Sequence, residues 1–515
     1  MNAAWGRALI PSLSDFFFIA VFVWLFVAGA SGWKALLMDG DAGWHIRVGE
    51  YVLDHRAVPT HDLFSFSRPS APWFAWEWLT DVVYGMLFRI AGLKAIVLLA
   101  ATLIAVYATV LLRYSIWRGA NTLLAAFMVL LAIGSSSVHF LARPHLVTLL
   151  LVPVSFWMIE ADRRENSRAI WLLIPVTALW TNLHGGFLML LACLAILTLG
   201  SLIEIRVAGR SAAAAIRYGW LLAGCSAASL LNPYGTRLHA HIAEYLRSDW
   251  IRNVVQEFQA PTFRSEGQVQ FEMLLLGGLI AAGFLLRRKK ITEFLWLIFL
   301  GHSALTSVRH APLYAAVAGP LLASELSVWW RGWIGSHPKS SIIAIFYQLG
   351  EDLAASFRRM TFWPALVVIG IAATGGPLPW PRDFPAEGFP VAMVHQNEAV
   401  LTAGRVLTTD QWGDYLIYSF YPRVKVFVDG RSDFYGESLG QEYLHLMQGA
   451  HDWETIMSRH RFTAALLPVD WPLSSLLKQS HLWKVVQDDG HTILFVQSPV
   501  HWNESTSAVP SAPAY

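Results

Sequence analysis

Between residues 38 and 50 the chain reads MDGDAGWHIRVGE, which puts Asp39, Asp41, His45, Arg47 and Glu50 into one short span. Two carboxylates and an imidazole this close can take a proton from a hydroxyl, or offer oxygen and nitrogen donors to a divalent ion. An acid ahead of WHIRVGEYVLDH also has a plainer use, as the cap of a helix that starts there. Three later turns bring the opposite charge: His139-Phe-Leu-Ala-Arg143-Pro-His145, Asn182-Leu-His184-Gly-Gly and Arg309-His310-Ala-Pro. Arginine grips phosphate oxygens through paired N–H bonds and stabilises a phosphate as charge develops on it. The catalytic candidates are Asp41 and Asp39, with Glu77 and Glu257 as further acids. Candidates for binding a phosphate or sugar are His45, Arg143, His145, His184, Arg309 and His310. Asp39, Asp41 and His45 are also the candidate ligands for a divalent metal (Mg or Mn), although their spacing matches no established metal motif.

The elements that must position these residues are mostly apolar. The 515 residues are 55% hydrophobic and only 14% charged, against about 25% charged in an ordinary soluble domain. Apolar stretches recur near the ~20 residues that cross a bilayer, so the chain reads as a polytopic α-helical membrane protein. A net charge of +2 gives no basis for nucleic-acid binding, and 24 tryptophans suit the two membrane interfaces. Cys193 and Cys225 fall inside apolar runs and imply no disulfide framework. No P-loop, HExxH, CxxC or GxSxG stands in a supporting context.

The first run, Phe16 to Ala30, follows Arg7 and has Ala28-Gly29-Ala30 in the place of a cleavage site. The spans that follow make an uncleaved first helix the better expectation. Those spans lie near 94–112, 120–140, 145–160, 168–182, 185–205, 215–231, 271–286, 291–306, 311–327 and 361–376, about eleven in all with the first. The basic clusters then fall on one side: Arg7; Arg113 and Arg118; Arg163, Arg164 and Arg168; Arg206, Arg210 and Arg217; Arg287 to Lys290; Arg331, Lys339, Arg358 and Arg359. That side is expected to be cytoplasmic, together with the N-terminus. The other face receives the first loop, 39–93, a second long loop, 232–270, and everything after about 377, and with them every candidate site residue. Charge at the outer rim of an apolar bundle, with almost none at the span centres, suits chemistry on a lipid whose polar head lies at the interface.

Within the first loop, Trp78, Leu79, Val82, Val83, Met86, Leu87 and Ile90 form one stripe, predicting an amphipathic helix over 77–90 that lies in the outer interface. Leu238, Ile242, Tyr245 and Leu246 predict another surface helix. The membrane domain is expected over 1–376, followed by a linker at 377–389 that continues Gly375-Gly376-Pro377. A small extracytoplasmic α/β domain is expected over 390–500. In it, RVLTTD and VKVFVDG read as strands, WGDYLIYSF as a helix between them, and Leu439–Met447 as a second helix. Thr463–Leu467 reads as a further strand, and Asp489-Gly490 as a hairpin turn between KVVQ and ILFVQ. The Ser/Pro/Ala-rich tail, 501–515, with its Asn503-Glu504-Ser505 sequon, is expected to be disordered.

With these residues in view, the chain resembles the GT-C superfamily, the polytopic glycosyltransferases that use polyprenyl-phosphate- or diphosphate-linked sugars, of the oligosaccharyltransferase and protein-mannosyltransferase kind. The resemblance rests on MDGDAGWH after the first span, the large first outer loop with its juxtamembrane helix, about eleven spans and the outer C-terminal domain. It covers most of the chain and is also seen in bacterial membrane proteins of this type. It implies that Asp41, or else Asp39, is a catalytic base or metal ligand. It implies a lipid-linked sugar donor, a glycan, lipid or protein acceptor, and a multi-pass place in the cell (inner) membrane with a periplasmic or extracellular C-terminal domain. Trp412-Gly413-Asp414-Tyr415 resembles the WWDYG region of oligosaccharyltransferase catalytic subunits, but the order differs, so peptide recognition is not carried over. Two rival readings stay open: a lipid or polysaccharide transporter or flippase, and a non-catalytic GT-C scaffold.

Overall fold

The computed structural model describes residues 10–27, 32–265, 267–374 and 380–498. Arg7, Ala28-Gly29-Ala30, Gly375-Gly376-Pro377 and the tail from 501, all used above, lie outside them. The chain divides into two compact units. The first comprises 1–63, 70–389 and 432–434, and the second 64–69, 390–431 and 435–515.

The first unit is helical. Its helices among the described residues are α1 (Leu13–Val27), α2 (Asp41–His55), α3 (Trp78–Ala91), α4 (Leu93–Trp117), α5 (Thr122–Ser136), α6 (His145–Glu165), α7 (Leu173–Leu183), α8 (Phe187–Ala208), α9 (Ala212–Ala228), α10 (Thr236–Arg247), α11 (Asp249–Val254), α12 (Gln268–Arg287), α13 (Ile291–Thr306), α14 (Ala311–Ile334), α15 (Ile342–Phe357) and α16 (Trp363–Thr374). Side-chain caps set several starts: Asn121 accepts the Leu123 N–H, and Ser211 accepts that of Ala213. A helix stands at each expected span. Six stretches are long and apolar enough to cross a bilayer: Leu93–Trp117, Thr122–His139, His145–Glu165, Phe187–Ala208, Gln268–Arg287 and Val308–Ile334. Leu13–Phe26, Arg168–Leu183, Ile291–Thr306 and Trp363–Ala373 are apolar but shorter, so these residues do not establish a count of eleven crossings. Helix α15 was not anticipated. Its length was taken for a basic connection, but Ser341 caps it and its Tyr347 carbonyl accepts from Asn121 Nδ2 at 2.8 Å. Residues 380–389, expected as linker, belong to the first unit instead: Phe384 and Phe389 are buried, and Lys34 pairs with Glu387.

The juxtamembrane helix is present as α3. Val83, Met86 and Ile90 are exposed, while Thr80, Asp81, Tyr84 and Gly85 are buried. An exposed apolar face is what a helix resting against lipid requires. The polar face packs along α2, and Gly49 and Gly85 permit the contact. A Cβ on Gly49 would stand 1.8 Å from the Asp81 carbonyl oxygen, and one on Gly85 2.6 Å from the Gly49 carbonyl carbon. Gly92, at φ 62°, then turns the chain from α3 into α4 in a backbone region that side chains disfavour.

The second unit carries a four-stranded sheet of β1 (Val406–Leu407), β2 (Ala464–Pro468), β3 (Trp483–Asp488) and β4 (Thr492–Gln497) in the order β1-β2-β4-β3. β1 and β2 are parallel, and the other neighbours antiparallel. The hairpin turns at Asp489-Gly490 as the sequence predicts. Helices α17 (Val391–Gln396), α18 (Glu398–Thr402), α19 (Asp410–Phe420), α20 (Ser432–Gln448), α21 (Trp453–His460) and α22 (Pro472–Gln479) complete the chain. VKVFVDG is not a strand. Only Val426 bridges, to Ser65 and to Val406, because the segment then bends into a buried polar turn. In that turn Asp429 accepts from Arg431 Nε at 2.8 Å, from Arg431 Nη2 at 2.6 Å and from the Tyr435 hydroxyl at 2.7 Å. Asp414 of the W-G-D-Y segment is likewise buried and accepts the Gly430 N–H at 3.0 Å. These acids hold the second unit together.

Candidate active site

The Asp41 N–H donates to Asp39 Oδ1 at 2.9 Å just ahead of α2, whose N-cap is Gly40 and whose first residue is Asp41. The free oxygens of the two aspartates meet Arg143, which stands on the turn before α6. Arg143 Nη1 reaches Asp39 Oδ2 at 3.0 Å and Glu257 Oε1 at 2.7 Å, while Nη2 reaches Asp41 Oδ2 at 2.6 Å. One guanidinium thus gathers three carboxylates from two segments. Asp41 is 4% exposed, and its Oδ1 is buried without a hydrogen-bond partner, with the Trp44 indole nearby.

Three acids around one cation cannot all ionise at ordinary cost. Burial raises the Asp41 carboxyl to about 7, Arg143 pulling it down and Asp39 and Glu257 pushing it further up. Glu257 goes the other way, held below the usual carboxylate range by Arg143 against the cost of burial. The trio contains one acid that stays ionised and one poised near neutrality.

A second array begins four residues along α2. His45 Nδ1 lies 2.6 Å from Asp81 Oδ1, and its Nε2 lies 3.6 Å from Glu77 Oε2. Glu77 Oε1 is in turn 3.4 Å from His184 Nε2. The tautomer of His184 follows from its neighbours. Its Nδ1 accepts the Gly186 N–H at 3.0 Å, and also the Thr148 hydroxyl at 2.7 Å, since that oxygen already accepts from Trp180 Nε1. The proton of His184 is therefore on Nε2, aimed at Glu77. Charging this ring would set two donors against Nδ1. Burial and the nearby Arg309 and Arg143 lower its pKa to about 3. Burial also raises Glu77 to about 8, raises Asp81 well above its ordinary value, and lowers His45 well below its own. The chain Asp81–His45–Glu77 can hold one negative charge at either end: when Asp81 is protonated, the His45 Nε2–H faces an ionised Glu77, and when Asp81 is ionised, a protonated Glu77 faces the bare Nε2.

The two arrays share one electrostatic neighbourhood. Glu77 feels Arg143, Asp41 and Arg309, and His184 feels Arg309, Arg143 and Glu257. Arg309 stacks over the Phe258 ring with its guanidinium carbon 4.4 Å from the centroid. Among the described residues its side chain has no ion pair, which leaves its donors available to an anion. Arg143, the other phosphate candidate, is already committed to carboxylates. His145 turns aside, with Nε2 2.6 Å from the His139 carbonyl, and His310 Nδ1 lies 3.1 Å from the Ser303 carbonyl. His241 pairs with Asp433 at 2.9 Å and stacks on Phe74.

The metal set expected from Asp39, Asp41 and His45 is not assembled, because His45 faces Asp81 while the two aspartates face Arg143. Among the described residues no group of three His, Cys, Asp or Glu side chains is disposed to hold a metal ion. The side chains as they stand do not fit one. Asp81 and Thr148 had not been singled out from the sequence. An aspartate four residues after Glu77, on the face of α3 opposite the apolar stripe, is the available signal for Asp81; Thr148 gives none.

This architecture is similar to that of archaeal oligosaccharyltransferases. The apo crystal structure of the Archaeoglobus fulgidus oligosaccharyltransferase matches with a TM-score of 0.53 at 11% sequence identity, over 95% of this chain and 74% of that one. Oligosaccharyltransferase AglB of the same organism, in complex with an inhibitory peptide and a dolichol-phosphate, matches with a TM-score of 0.52 at 11% identity, over 96% of this chain and 75% of that one. No protein-family model matches the chain, and no curated protein matches it in sequence. At this identity the likeness shows the fold alone, which the chain shares with these oligosaccharyltransferases.

Proposed function

We propose that the chain is a membrane glycosyltransferase that moves a sugar from a polyprenyl-phosphate or -diphosphate donor to an acceptor on the extracytoplasmic face. The observation that carries this reading is a buried carboxyl poised near neutrality, Asp41, together with a guanidinium, Arg309, that makes no ion pair among the described residues. The acceptor hydroxyl or amide attacks the anomeric carbon, and its proton passes to the Asp41 carboxylate. The bond from that carbon to the phosphate oxygen breaks, and the lipid phosphate leaves into the N–H donors of Arg309. Glu77 is the second proton acceptor, its charge state backed by His45 and Asp81. The dolichol-phosphate bound to the AglB neighbour supports a lipid-linked donor, and the peptide there supports a protein acceptor. The inward-facing Asp414 gives that acceptor no separate support.

The test is transfer by the purified full chain in liposomes from a polyprenyl-phosphate-linked sugar. Transfer that survives in both Asp41→Asn and Asp39→Asn removes the catalytic assignment. Movement of the lipid across the bilayer without transfer replaces this reading with a flippase.

A further inference from the structure

Asp39 and Asp41, two residues apart at the start of α2, meet Glu257 of the short turn Gln256–Phe258 around Arg143. Three carboxylates brought together from two segments are a donor set that hard divalent cations such as Mg²⁺ and Mn²⁺ favour. Here the centre belongs to a guanidinium, with one N–H-bearing nitrogen on Asp41 and the other shared by Asp39 and Glu257. Arginine does not give up its proton, and this side chain is only 21% exposed, so it cannot easily swing into water to admit a competing ion. If all three acids ionise, the cluster carries −2 with Arg143 present and −3 without it. One buried oxygen, Asp41 Oδ1, has no partner and adds unspent donor capacity.

We propose that Arg143 is the built-in cation of this site, occupying the place of a divalent ion, and that Asp39, Asp41 and Glu257 form a latent Mg²⁺/Mn²⁺ site that opens only when the guanidinium is removed. The proposal rests on the reading above only in placing these acids at the reaction centre; what fills the space between them does not depend on that reading. It has a consequence for the division of labour. A divalent ion could bridge the acids to a phosphate, whereas a guanidinium saturated by carboxylates cannot, so the phosphate falls to Arg309.

The experiment is Mn²⁺ titration of the purified full chain in detergent, after dialysis against EDTA, read by the loss of the free Mn²⁺ electron paramagnetic resonance signal. Wild type is expected to take up no tight Mn²⁺. Arg143→Ala is expected to take up one equivalent, its affinity higher by at least about a hundredfold, as losing one competing cation beside three carboxylates implies. Adding Asp41→Asn to that variant should abolish the uptake. Arg143→Gln, which keeps side-chain N–H donors, is the second variant should the alanine fail to fold, and Mn²⁺ should raise its melting temperature but not that of wild type. Uptake of one equivalent by wild type that is lost in Asp41→Asn overturns the proposal, as does a folded Arg143→Ala or Arg143→Gln that binds none. Sugar transfer is assayed separately. Wild type that keeps its Mn²⁺ indifference but transfers no sugar under any condition sinks the proposed function and leaves this proposal standing.

Discussion

The two ends of the helical bundle handle buried charge in opposite ways. At the end where α6 and α8 finish and α9 and α13 begin, acids meet cations in matched sets. Asp162 takes a bidentate grip from Arg217 at 3.0 and 2.6 Å, and Glu293 receives Arg163 at 3.0 Å. Glu160 pairs with Arg118, and Glu325 with both Arg288 and Lys290. Glu204 also accepts the N–H and hydroxyl of Thr292. At the other end three acids share Arg143, Glu77 and Asp81 face imidazoles, and Arg309 makes no ion pair among the described residues. A matched pair fixes helix ends; an unmatched group retains energy that a substrate, a proton or a leaving group can release.

The widest separation between the two ends should appear in paired neutralisations. Asp41→Asn is expected to lower transfer by about 10²–10⁴-fold, the usual worth of a positioned general base. It should leave the melting temperature unchanged or higher, because it removes repulsion from the trio. Asp162→Asn should do the reverse, costing about 3 kcal/mol of stability by stripping Arg217 of its counter-charge while leaving turnover per folded molecule intact. If both variants melt lower and both keep turnover, the contrast between the ends fails. Next in size is Arg309→Gln, expected to raise KM for the lipid-linked donor by about tenfold, one charge-assisted contact, with Arg309→Lys recovering part of it. A loss in kcat alone would move Arg309 out of donor binding.

The smallest effect is a slope. Burial pushes the Glu77 carboxyl up to about 8, from an ordinary value of 4.5, so between these values the folded state keeps a proton that the unfolded state releases. Stability therefore falls as pH rises from 4.5 toward 8, and Asp41, at about 7, adds to the fall. Melting temperatures of Glu77→Gln across this range should decline less steeply than those of wild type. An unchanged slope would place the Glu77 carboxyl in water.

Much of the fold was legible because lipid imposes its own grammar: apolar length marks helices, and alternating Arg and Lys clusters mark which ends share a side. The gathering of Asp39, Asp41, His45, Glu77, Arg143, His184, Glu257 and Arg309 at one end followed from that alternation alone. What could not be read was who faces whom. Asp41 and His45 are neighbours on one helix, yet one turns to Arg143 and the other to Asp81, a choice set by the packing of α3 on α2. The stripe over 78–90 marks an interfacial helix, but hydrophobic periodicity does not say what packs against the opposite face, and so Asp81 there carries no signal of its partner His45. VKVFVDG had the composition of a strand and lost that form to the Asp429–Arg431–Tyr435 turn, a tertiary arrangement without local signature.

The bare contact between Gly49 and Gly85 has a further use. Each glycine stands four residues, one helical turn, beyond a member of the buried His–Asp pair: His45-x-x-x-Gly49 and Asp81-x-x-x-Gly85. A missing side chain on each helix thereby becomes a word in the sequence. Chains that keep this device should be recognisable by the two short words together, even where overall identity has decayed too far to align.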